Sequence, residues 1–75
     1  MESTTSLLDQ FPAPYGKEIK LENVTYENEM RVLRIHIREG NRFTVMDIDE
    51  KTASNWAAVM NAWVDSKPPS AGGEN

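Results

Sequence analysis

Residues 31–64 read RVLRIHIREGNRFTVMDIDEKTASNWAAVMNAWV. Two runs of alternating apolar and polar residues meet at Gly40-Asn41, and a three-and-four-residue apolar rhythm follows at once. The period of two predicts paired strands and the period of 3.6 predicts an amphipathic helix. Gly40-Asn41 has the composition of a two-residue hairpin loop with glycine first. Such a loop fixes the register: Glu39 faces Arg42, Leu33 meets Ile48, Ile35 meets Met46 and Ile37 meets Thr44 on one face. On the other face Arg38 meets Phe43, His36 meets Val45 and Arg34 meets Asp47.

Asp49 precedes the helical rhythm and carries a carboxylate that can accept a first-turn amide, so it is the expected N-cap. Ala53, Trp56, Ala57, Met60, Trp63 and Val64 then form one stripe, opposite Lys51, Asn55, Ala58, Asn61 and Asp65. The helix is expected over residues 50–66, with its stripe packed on Leu33, Ile35, Met46 and Ile48. Pro68 restrains Lys67 and stops it.

Upstream, residues 18–26 form a further strand whose phase breaks. Ile19 and Leu21 are odd positions, Val24 and Tyr26 even ones, so a β-bulge is expected at Glu22-Asn23, setting Val24 against Leu33. Glu27 to Met30 make a polar turn in which Asn28 tolerates left-handed backbone. Residues 1–17, rich in Ser, Thr, Pro and Gly, read as a flexible or loosely docked segment in which Leu7, Leu8 and Phe11 cover an edge of the core. Residues 68–75 read as a disordered tail. The expected fold is α+β: one domain over residues 18–67, a three-stranded antiparallel meander followed by a C-terminal helix packed on one sheet face.

The 75 residues include no cysteine and one histidine, with a net charge of −4. Thiolate zinc sites and disulfides are excluded, and a small core must rest on packing or on association. The acidic balance disfavours generic binding to nucleic acid or anionic membranes. No apolar run reaches the roughly 20 residues of a spanning helix. The opening MESTTSLLDQ lacks the pattern of a signal peptide, so a cytoplasmic setting is expected.

Each candidate chemistry has a plainer structural reading. Asp47, Asp49 and Glu50 supply hard oxygens but lack calcium-loop spacing, and alternation divides them between the sheet and the helix cap. His36 could act as a base, yet nothing in the sequence marks a nucleophile beside it. Trp56 and Trp63 have core spacing. Arg31, Arg34, Arg38 and Arg42, with Phe43 and His36, could form a stacking platform for single strands; Asp47 opposite Arg34, with Glu22 and Glu39 nearby, would neutralise it. No catalytic residue, cofactor or metal site is expected.

The stretch APYGKEIKLENVTYE, with IREGNRFT and the helix containing NWAAVMNAW, resembles a group of short uncharacterised bacterial proteins of unknown function over residues 13–65. That resemblance implies no site. The order of strands then helix is also similar to the transcriptional coactivator family that binds single-stranded DNA as dimers, from which this chain departs in its acidity and in having three expected strands where that family has four. The functional expectation is a non-enzymatic interaction or accessory protein. Its working surface would be the sheet face away from the helix, with Val32, Arg34, His36, Arg38, Phe43 and Val45 as the interface. Its partner would be another protein or a second copy. The alternative is a weak single-strand nucleic-acid binder.

Overall fold

The hairpin of residues 31–48 sits at one side of a larger sheet than the periodicity suggested. In a computed structural model, which describes residues 3–66, four strands are joined in chain order. They are β1 (Ser3–Ala13), β2 (Lys17–Tyr26), β3 (Arg31–Glu39) and β4 (Arg42–Ile48), followed by helix α1 (Glu50–Asp65). All three pairings are antiparallel, so the sheet is an up-and-down meander with β1 and β4 at its edges. The α+β architecture with one C-terminal helix stands. The expected tail over residues 68–75 lies outside the described residues.

The first correction is the strand count. The segment read as a tail is β1, pairing with β2 from Ser3 opposite Tyr26 to Ala13 opposite Lys17. Its polar composition and Pro12 argued against a strand, but an edge strand tolerates both, because a proline there can turn its missing N–H to solvent. Tyr15 and Gly16 close the β1–β2 hairpin, both in the left-handed region at φ 67° and 75°. The strand number no longer separates this chain from the coactivator family; its acidity still does.

The second correction is the bulge. The β2–β3 register runs unbroken, with Ile19 opposite Ile37 and Leu21 opposite Ile35 as expected, but Asn23 opposes Leu33 and Val24 opposes Val32. The break of phase is instead a change of buried face. Val24 is 1% exposed on the side opposite Ile19 and Leu21, while the Asn23 amide donates to the Thr25 hydroxyl at 2.8 Å. The register shift falls in β1, between Leu7 and Asp9, on an edge where an extra residue disturbs only one neighbour.

The β3–β4 hairpin has the expected register throughout, and Gly40 takes φ 60°. At the β2–β3 turn the left-handed residue is Glu29, φ 69°, not Asn28. Asn28 instead accepts the Met30 amide through its side-chain oxygen at 3.1 Å, an Asx-type closure.

The third correction is the largest. Asp49 caps α1 as expected, its carboxylate accepting the Thr52 amide at 2.8 Å, and Glu50 pairs with Arg31 at 2.7 Å. Beyond that first turn the helix leaves the sheet. Thr52 and Ala53 are half-buried, Trp56 is 37% exposed and Trp63 76% exposed. Ala57, Met60 and Trp63 therefore do not pack on Leu33, Ile35, Met46 and Ile48 within the chain, and Trp56 is only partly covered. The longest dimension is 56 Å. A ten-residue strand and a sixteen-residue helix laid end to end span roughly 33 and 24 Å. The helix thus continues past the end of the sheet instead of folding over it. The radius of gyration, 16.3 Å, exceeds the ~11 Å of a compact chain of this length.

Candidate interaction face

Alternation along β2, β3 and β4 gives the sheet two faces of different chemistry. The first carries an apolar band of Ile19, Leu21, Leu33, Ile35, Ile37, Met46 and Ile48, with charged residues only toward its ends. The second carries Glu18, Lys20, Glu22, the buried Val24 and Tyr26 from β2, Val32, Arg34, His36 and Arg38 from β3, and Phe43, Val45 and Asp47 from β4. The six residues expected to form an interface, Val32, Arg34, His36, Arg38, Phe43 and Val45, therefore do share one face.

On this mixed face the charges are paired across strands. Arg34 donates from Nε to Asp47 Oδ1 at 2.9 Å and from Nη2 to Oδ2 at 3.0 Å. Arg38 Nη2 donates to Glu18 Oε1 at 2.7 Å. His36 Nε2 lies 2.6 Å from Glu22 Oε1. A carboxylate only accepts, so the ring nitrogen facing it carries the hydrogen. Gln10 reaches over from β1 to Glu18 at 3.3 Å. The Arg34 hydrogen bonds hold the Asp47 carboxyl below its ordinary range and raise the guanidinium. Arg38, and after it Gln10, lowers Glu18 in the same way.

The basic cluster expected from sequence is divided. Arg34 and Arg38 lie on the mixed face and are taken by carboxylates, whereas Arg31 and Arg42 stand on the apolar side at opposite ends of the hairpin. Glu39 is on that side too, paired with Lys17 at 3.0 Å. The acidic trio is likewise dispersed: Asp47 serves Arg34, Asp49 caps the helix and Glu50 holds Arg31. What sequence reasoning missed on the mixed face is Glu18 and Gln10. Glu18, Lys20 and Glu22 alternate along β2, and that period placed them beside the arginines once the register was known.

What remains open on this face is apolar. Phe43 is 71% and Val45 54% exposed, on the outermost strand β4, with a shallow depression running from them to His36, Arg38 and Glu18. Because no described strand pairs with the outer side of β4, its backbone groups there are available beside these two side chains. No helix among the described residues is long and apolar enough to cross a membrane. No curated protein and no solved structure matches this chain. Residues 1–66 match the model of a family of unknown function, DUF6967, and the chain belongs to that family.

Proposed function

We propose that this chain is a small non-enzymatic interaction protein that docks a protein partner on its mixed sheet face, with Phe43 and Val45 as the apolar anchor. One observation carries the reading: Arg34, His36 and Arg38 are each satisfied by a carboxylate, while Phe43 and Val45 beside them stay exposed. A neutralised ladder flanked by an aromatic and a branched aliphatic side chain suits a protein surface, where apolar contact supplies affinity and paired charges set orientation. Single-strand binding at the same positions would need cations free to meet phosphate and a favourable field; the ion pairs and the net charge of −4 weigh against it. The setting we propose with this reading is the cytoplasm, since a cysteine-free chain depends on no oxidising compartment.

Phe43→Glu tests it. Tagged wild type should retain a specific protein that this variant loses by at least tenfold, with circular dichroism unchanged. A salt-sensitive shift of a labelled single-stranded oligonucleotide, abolished by the same substitution, would overturn the reading in favour of nucleic acid.

A further inference from the structure

The chain carries two apolar surfaces that meet only at the start of α1. One is the sheet face of Leu33, Ile35, Ile37, Met46 and Ile48. On it Ile35 and Ile48 are buried, while Leu33 and Ile37 are half-buried and Met46 is 37% exposed. The other is the stripe of Trp56, Val59, Met60, Trp63 and Val64 on α1, exposed from Trp56 onward. We propose that the sheet face is covered by the helix of a second copy, the two chains exchanging helices about a two-fold axis. This goes beyond the partner-docking reading, which concerns the opposite face of the sheet.

Four features identify the occupant. The first is length: α1 has sixteen residues, about 24 Å, and β4 has seven, about 23 Å. A helix entering over Ile48 therefore ends beside Arg42. The second is charge. Asp65 closes the helix, whose last turn holds no basic residue, so a carboxylate adds to the negative end of the helix dipole. Arg42 lies on the apolar side of the hairpin end, and its cross-strand neighbour Glu39 is taken by Lys17. Among the described residues neither Arg42 nor Asp65 has an ion-pair partner. The exchange brings them together.

The third feature is the junction. Asp49 alone separates β4 from α1, with extended backbone at φ −87° and ψ 177°. Connections between strand and helix usually take ~2–6 residues. One extended residue carries the helix onward, and Arg31–Glu50 fixes its first turn. Returning the same helix over its own strand requires a reversal that this junction does not make, whereas a second copy offers the same surface without one. The fourth is area. At ~150–250 Å² for a large aromatic side chain, the exposed helix stripe amounts to roughly 500 Å². Two stripes, with the smaller area still open on each sheet around Met46, Leu33 and Ile37, give on the order of 1,500 Å², the standard size of a stable protein interface.

The test exploits the absence of native cysteine. Two differently tagged copies, one Arg42→Cys and one Asp65→Cys, are co-expressed and treated with a short bis-maleimide. The expected result is a cross-linked product of double mass carrying both tags, from a species that sediments as a dimer. Trp63→Asp should weaken the dimer by more than tenfold, and a short Gly-Ser insertion after Asp49 should convert it to a monomer with the helix signal retained. Phe43→Glu should leave the dimer intact, so loss of a docked partner and loss of the dimer are separate outcomes. A wild-type monomer at micromolar concentration, a dimer that survives Trp63→Asp, or cross-linked products that never join the two tags would each overturn the exchange.

Discussion

Arg34 and Asp47 face each other across β3 and β4 and are joined by two parallel hydrogen bonds of 2.9 and 3.0 Å. The planar guanidinium matches the carboxylate only when the strands keep their register, so the pair both reports and reinforces it.

The pair also sets a pH dependence. The carboxyls of Asp47 and Glu18 are held below their ordinary values of 3.8 and 4.5, chiefly by Arg34 and Arg38. A depressed carboxyl contributes stability above the unfolded-state value and loses it as pH falls through the folded one. The contribution of these two carboxyls should be constant above about pH 5 and be lost as pH falls below about 4. Thermal melts at stepped pH check this, and Asp47→Asn should show a shallower acid limb. An identical limb in that variant would remove Asp47 from the account.

Burial separates two apolar residues on opposite faces. Ile35 is buried at the centre of the apolar face, whereas Phe43 is exposed at the edge. Ile35→Ala should cost about 3 kcal/mol, a large share of the stability of so small a domain, while Phe43→Ala should stay within about 0.5 kcal/mol. Chemical denaturation of both variants gives the comparison; equal losses would place Phe43 in a core.

Gly40 occupies the left-handed region at φ 60°, with open space where a Cβ would stand. Gly40→Ala should therefore cost about 1–2 kcal/mol through backbone strain alone. The expected readout is a lowered melting temperature with no change in sheet signal. A neutral substitution would mean the turn relaxes to a loop without left-handed backbone.

Asp49→Ala removes the acceptor of the Thr52 amide and the charge at the positive end of the helix. Helical circular dichroism should fall while the sheet signal persists. Because α1 leaves the sheet within its first turn, its beginning depends on this cap more than a packed helix would. Unchanged helicity would shift the cap to another residue.

The sequence alone determined the β3–β4 hairpin, its register, the cap at Asp49 and the start of the helix. Each is local: alternation, a glycine-first loop and a carboxylate three residues before a needed amide act between near neighbours along the chain. It also determined that Val32, Arg34, His36, Arg38, Phe43 and Val45 share a face, since a period of two admits no other result once the loop is placed. Tertiary structure decided the rest. Ser3–Ala13 is a strand only because β2 offers it an edge, which composition cannot show. Val24 is buried on the face opposite Leu21, across from Val32, so a broken alternation read as a bulge is a regular strand. The stripe from Trp56 to Trp63 announces a buried helix, and periodicity does record that such a face seeks apolar contact. Which surface it meets depends on the direction in which one residue, Asp49, sends the helix away from β4.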